Sequence, residues 1–252
     1  MKLAVIAPIY HLDQLCDTTD RCQFALAHLC DSKEYKNFYA KRANDGDLVM
    51  LDNGVYERGE PIDQDILLDL AAQMGVQEIV IPDYLRGPEK TWNAAQSFMD
   101  SLSSQELKAF DYMGVLQTDD PTVAIRTYKH FIDLGIKTIG FPRWTSENNS
   151  RSWIVKTVIS MIPEEDQVAH HLLGCGDPLE VAQYNEKIRS VDTSFPCKWG
   201  YFMDHSYEPF VPPYYRQWWT RVPFDYMMTP QQVSRAIECR ERIRQMCKRV
   251  IK

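Results

Sequence analysis

The chain has 252 residues, 44% of them hydrophobic and 25% charged, with a formal net charge of −7. That length suits one α/β barrel, and the composition excludes a disordered or low-complexity protein. The acidic balance argues against a surface built throughout for nucleic acid, although residues 216–252 carry nine Lys or Arg against three acids, a local +6 beside a remainder of −13.

The first apolar run, LAVIAPI from Leu3, is broken by Pro8 and soon followed by acids, so it reads as a strand and not as a secretory leader. No stretch reaches the roughly 18 uncharged apolar residues of a membrane span, and the expected location is the cytoplasm. Further runs rich in β-branched residues follow: LVMLD ending at Asp52, EIVIPD ending at Asp83, YMGVLQ ending at Gln117, TIGFP from Thr138, VAHHLLG from Val168 and SVDTS from Ser190. Each predicts a buried parallel strand. Helical patterns alternate with them, among them IDQDILLDLAAQMG, PEKTWNAAQSFMDSL, PTVAIRTYKHFIDLG, SRSWIVKTVISMI and DPLEVAQYNEKI, several opening after Asp or Pro and closing on Gly. Residues 199–223, dense in aromatics and Pro, read as an irregular excursion. FDYMM near Phe224 is the candidate eighth strand, and TPQQVSRAIECRERIRQMCKRV is a basic closing helix whose charge a solvated face alone explains. The alternation predicts an α/β fold, a single (β/α)8 TIM-type barrel over residues 1–252. A doubly wound open sheet alternates too, but its Gly-rich phosphate fingerprint is missing from APIYHLDQ after the first run. The seven cysteines are scattered, without C-x-x-C or His at zinc spacing, and predict reduced thiols and no structural zinc.

Polar residues close the apolar runs on the side where barrel enzymes keep their chemistry: Asp52 with Asn53, Asp83, Gln117, and Asp192 with Ser194. One strand-end Asp is an ordinary turn or cap residue; three with a Gln aim at one rim. Paired carboxylates suit glycosyl chemistry, one attacking an anomeric carbon while the other moves the proton of the departing group. Gly-rich turns at Gly140 to Pro142 and Leu172 to Pro178 let backbone approach a flat ligand. His170 and His171 alternate inward and outward along their strand, with structural roles expected for both.

The ordered set LDNGVYE, IVIPDYL, GVLQ, IGFPRW, HHLLGCGDP and VDTSFP, covering about Leu48 to Cys197, resembles the motif run of tRNA-guanine transglycosylases. It resembles more closely the short viral (phage) DNA 7-deazaguanine transglycosylases related to them. The resemblance implies a pentosyltransferase that replaces guanine in DNA by a 7-deazaguanine through a covalent Asp-deoxyribose intermediate, a DNA modification suited to restriction evasion. The partners it implies are DNA and a free base of 7-cyano or 7-aminomethyl type, in host cytoplasm, without cofactor or metal. By the same resemblance Asp192 is the nucleophile at C1′ and Asp52 the general acid and base. Asp83 and Gln117 read the purine-like edge beside Asn53, Gly140 and Phe141 lie along the base, Tyr56 stacks on it, and Leu173 forms an apolar wall. The zinc subdomain of the tRNA enzymes follows the seventh strand, where only Cys197 stands here, so the resemblance implies its absence and favours DNA over tRNA. Asn53-Gly54 replaces a Gly-Gly pair, and Gly140-Phe141-Pro142 replaces Gly-Gly-Leu. Nucleic-acid contact is expected from Arg143, Arg151, Lys198, Arg216 and Trp218, near Tyr214, Tyr215 and Trp219, and from the basic last helix. A target base must leave its stack to expose C1′. The alternatives are the same exchange on tRNA, a carboxylate-dependent nucleoside or glycoside hydrolase, and a non-catalytic base-binding barrel.

Overall fold

A computed structural model describes residues 1–16, 19–143, 151–176, 178–184, 187–202 and 223–249. Eight strands form its centre: β1 (Lys2–Val5), β2 (Cys22–Leu26), β3 (Leu48–Asp52), β4 (Glu78–Val80), β5 (Asp111–Val115), β6 (Thr138–Phe141), β7 (Ala169–Leu172) and β8 (Ser190–Thr193). All pair in parallel in the order β1-β8-β7-β6-β5-β4-β3-β2. With β1 and β2 side by side, this is the (β/α)8 barrel that the alternation of apolar runs and helices predicts.

Between β1 and β2 there is no backbone ladder. The loop joining them supplies side chains instead: Asp20 Oδ2 accepts the Leu3 N–H at 3.2 Å, and the Cys16 thiol donates to the Val5 carbonyl at 3.4 Å. Backbone groups of the barrel wall are thus satisfied where the sheet is not sealed.

The longer helices are α1 (Lys33–Asn44), α2 (Gln64–Met74), α3 (Pro88–Ser101), α4 (Pro121–Asp133), α5 (Arg151–Met161), α6 (Phe195–Phe202) and α7 (Pro230–Arg249). Their starts follow local chemistry. Ser32, Asp63 and Asp120 cap α1, α2 and α4 through side-chain oxygens, while Pro occupies the first turn of α3 and α4. Among the described residues, no helix is long and apolar enough to cross a membrane.

The structure corrects three sequence expectations. The strand missing from the reading is β2, not FDYMM: CQFAL is fully buried but interrupted by Gln23, which donates to Asp47 at 3.1 Å. Residues 223–229 instead cross as an irregular segment, tied down by the Ile9 N–H to the Phe224 carbonyl at 2.8 Å and the Met228 N–H to His11 Nε2 at 2.8 Å. The helix expected from DPLEVAQYNEKI is a single turn, Pro178–Val181. Trp199–Phe202 is not an excursion but the end of α6, and residues 203–222 lie outside the described residues.

The basic closing helix is packed rather than free. Ala236, Cys239, Ile243 and Cys247 of α7 are buried. Arg240 donates to the carbonyls of Gln14 and Leu15, which end the helical turn Leu12–Leu15, and Arg235 to the carbonyl of Gly200 near the end of α6. Cations at helix C-termini complement the dipole and the orphan carbonyls. Arg242 pairs with Glu238, and Arg244 with Glu241. Most of that helix's charge is therefore engaged within the fold.

Candidate active site

A cavity of about 300 Å³ opens at the C-terminal ends of the strands. Asp52, Tyr56, Asp83, Gln117, Leu173 and Asp192 all line it, drawn from the ends of β3, β4, β5, β7 and β8 or the turns just after them. Arg143 and Lys198 stand at the same cavity. Asn53, Gly140 and Phe141 do not line it. Arg216 and Trp218, with Tyr214, Tyr215 and Trp219, lie outside the described residues.

Asp52 ends β3 and is followed by a tight turn in which Gly54 takes a left-handed φ of 79°. That conformation, which glycine adopts without a steric cost, brings the Gly54 N–H to Asp52 Oδ2 at 3.0 Å. Burial pushes the Asp52 carboxyl well above the usual range, and the neighbouring carboxylates of Glu57, Asp83 and Asp192 push it further. Its ionisation is thus opposed on every side but one, which suits a group that holds and hands over a proton.

Asp83 has a different setting. Asn53, fully buried, donates from Nδ2 to Asp83 Oδ1 at 2.6 Å and to the Ile81 carbonyl at 2.7 Å, while its Oδ1 accepts the Val55 N–H at 2.9 Å. Gln117 Nε2 donates to Asp83 Oδ2, and Gln117 Oε1 accepts the Arg86 N–H at 3.3 Å, which orients the amide. Arg86 holds a left-handed φ of 57° to make this contact, a conformation rarely adopted by side-chain-bearing residues. Burial raises the Asp83 carboxyl to about 6, with the two amide donors pulling the other way. A carboxylate has about four acceptor sites; the amides of Asn53 and Gln117 and its own backbone N–H draw on it inside the protein, and what remains is left for donors of a ligand.

Asp192 sits in β8, and its Oδ1 receives the Gly174 N–H at 2.9 Å and His171 Nε2 at 3.1 Å. The two histidines separate as alternation requires. His170 faces outward, between the Tyr128 hydroxyl at 2.9 Å and the Lys187 carbonyl at 2.8 Å, and is structural. His171 is fully buried inside the barrel, its ring parallel to Phe24 with centroids 5.4 Å apart.

The remaining expected residues act at one remove. Gly140 backs the wall: a Cβ there would lie 2.9 Å from Leu173 Cδ1. The Phe141 ring packs against His170, and its carbonyl is taken by the Leu173 N–H and Arg151 Nη1. Arg151 is 3% exposed and bidentate to Glu180 at 2.7 Å, donating also to the Leu173 carbonyl at 2.5 Å. It holds the loops after β6 and β7 together and has no surface left for nucleic acid. Arg143 lays its guanidinium against Gly176, where no side chain blocks it.

Sequence reasoning did not single out Phe24, Glu57, Arg86 or Phe224 as site residues, all lining this cavity, while Gly174, also at the cavity, lies in the Gly-rich turn it did single out. Phe24 was hidden with its strand. The alternation of His170 and His171 did carry the signal that one of them faces inward. Among the described residues no group of three or more His, Cys, Asp or Glu is arranged to hold a metal ion. Comparison with protein-family models and with curated protein sequences gives no match, so the functional reading rests on the cavity and its carboxylates.

Proposed function

We propose that the chain is a base-exchange glycosyltransferase that replaces guanine in DNA by a 7-deazaguanine. One observation carries the reading: a single cavity holds two carboxyl groups in opposed settings, Asp52 with its ionisation opposed by burial and by neighbouring carboxylates, and Asp192 anchored through one oxygen by the Gly174 N–H and His171 Nε2. Environments that drive paired carboxyl groups apart assign acid and nucleophile.

Asp192 Oδ2 attacks the deoxyribose C1′ as the bond from C1′ to guanine N9 breaks. The bonding electron pair leaves with guanine, which takes a proton from Asp52. The incoming base returns a proton to Asp52, its nitrogen bonds C1′, and the electron pair of the glycosyl ester goes back to Asp192. Asp83, flanked by Asn53 and Gln117, accepts ring and amino N–H groups of either base, and a base lacking them leaves a buried carboxylate unmatched. Tyr56, half-exposed at the cavity, offers an aromatic face to a base drawn out of its stack. The choice of DNA and of a 7-deazaguanine rests on the resemblance of LDNGVYE, IVIPDYL, GVLQ and VDTSFP to the short DNA-acting transglycosylases. Arg143 and Lys198 are cations at the cavity that phosphates would meet.

The test is incorporation of labelled guanine and a panel of 7-deazaguanines into duplex DNA and into tRNA, with wild type and Asp192→Ala. Incorporation into DNA that vanishes in the variant supports the proposal. Incorporation into tRNA alone moves the substrate; release of guanine leaving abasic sites marks a hydrolase; no reaction in either acid rejects the reading.

A further inference from the structure

We propose that His171 is a positioning residue that presents Asp192 for attack through Oδ2 alone, with its tautomer set by the carboxylate it faces and supported by a chain of hydrogen bonds that begins at Arg189. The inference rests on the reading of Asp192 as the nucleophile.

The chain runs up the barrel interior. Arg189, just before β8, pairs with the buried Glu78 at 2.8 Å and donates to Thr138 Oγ1 at 3.2 Å. Its Nε lies 3.4 Å from Ser190 Oγ. Ser190 Oγ is 2.8 Å from His171 Nδ1, and His171 Nε2 is 3.1 Å from Asp192 Oδ1. A guanidinium can only donate. The nucleophilic Asp192 is a carboxylate and can only accept, so Nε2 faces it as the donor; the neutral ring then leaves Nδ1 bare to accept the Ser190 hydroxyl proton, while Ser190 Oγ has lone pairs left to accept from Arg189. The single proton of the neutral ring then sits on Nε2, facing the carboxylate. With the opposite tautomer, Nε2 and Oδ1 would meet as two acceptors.

Both donors to Asp192, His171 Nε2 and the Gly174 N–H, reach the same oxygen. Among the described residues Oδ2 accepts no hydrogen bond, which leaves it as the uncommitted oxygen of a residue that lines the cavity. Two donors on Oδ1 oppose the rotation that would exchange the oxygens, and the parallel stack on Phe24 holds the imidazole plane that makes one of them possible. In the glycosyl ester Oδ1 becomes the carbonyl oxygen and keeps both donors. No proton passes to or from His171 in either half-reaction. Its work is geometric in the first and favours departure of the carboxylate in the second, when charge returns to the oxygens it faces.

Two measurements test this on the full chain. Nitrogen-15 NMR of the histidine rings near neutral pH should show His171 protonated at Nε2 and bare at Nδ1, with Ser190→Ala weakening that preference. The reverse tautomer, or an imidazolium, would overturn the proposal, and this readout needs no turnover. In the exchange assay, His171→Phe keeps the ring on Phe24 but removes the donor, and should lower kcat by roughly 100-fold while KM for the free base stays within about threefold. His171→Gln, whose amide can donate to Oδ1, should recover at least about tenfold of that loss. Equal losses in both variants, or a loss confined to KM, would overturn it. Wild type that exchanges no base rejects the transferase reading separately, since the NMR result stands on its own.

Discussion

Asp83 offers a pH experiment in which stability and binding move in opposite directions. Its carboxyl rises from an ordinary 3.8 to about 6 in the folded protein because burial penalises the charge more than Asn53 and Gln117 relieve it. The fold therefore binds the Asp83 proton more tightly than the unfolded chain does. Its stabilising effect is complete below pH 3.8, declines as the pH rises, and is gone once the pH passes about 6. At about 1.4 kcal/mol per pH unit, that interval is worth about 3 kcal/mol. Denaturant unfolding of wild type and Asp83→Asn between pH 4 and 7 isolates the effect, because titrations common to both proteins cancel in the difference. Wild-type stability relative to the variant should fall by most of that, about 2.5 kcal/mol, across the window. Affinity for the free base should instead increase as the pH rises through about 6, since only the ionised carboxylate accepts two ligand N–H groups. A stability difference that is flat with pH, or that grows as pH rises, would refute the reasoning.

Asp52→Asn should fold with equal or greater stability at pH 8, since it removes a carboxyl whose ionisation burial and neighbouring carboxylates oppose, while base exchange falls by roughly 10²–10⁴; unchanged turnover would remove Asp52 from the chemistry. Gly114→Ala should destabilise the barrel by about 2 kcal/mol or more in chemical denaturation, because the new Cβ would lie 2.5 to 2.9 Å from ring atoms of the fully buried Phe131; a loss within error would mean that α4 shifts freely. Arg151→Met should cost about 3 kcal/mol by leaving Glu180 without its cation, a figure that Arg151→Met with Glu180→Gln should largely restore, and an uncorrected double variant would point to lost carbonyl contacts instead.

The barrel was legible wherever strands are continuous apolar runs, as in LVMLD, EIVIPD and YMGVLQ. It was illegible at CQFAL, where a Gln in a buried strand breaks the pattern because its amide nitrogen donates to Asp47, a contact known only in three dimensions. FDYMM misled for the complementary reason: its apolar residues cover the barrel mouth as irregular chain, with Phe224 at the cavity. The site fared better, since Asp52, Asp83, Gln117 and Asp192 announce themselves as polar residues ending apolar runs. The residues that orient them do not. Asn53, Arg86 and His171 act through hydrogen bonds to partners that lie 30, 31 and 21 residues away in the chain, and Arg151 looked like a surface cation until its partner Glu180 was placed.

The unsealed edge between β1 and β2 makes the barrel a rolled strip rather than a tube. Opening along that edge breaks a carboxylate contact at Leu3 and a thiol contact at Val5 instead of a row of backbone bonds, so breathing motions should begin there. Amide exchange in β2 faster than in β5 or β6 is the expected signature, and uniform protection around the barrel would refute it. Phe24, the ring on which His171 rests, is carried by β2. The most easily parted edge of the wall thus runs beside the strand that steadies the proposed nucleophile's imidazole, and substitutions at Asp20 or Cys16, remote in sequence from Asp192, act on the same device.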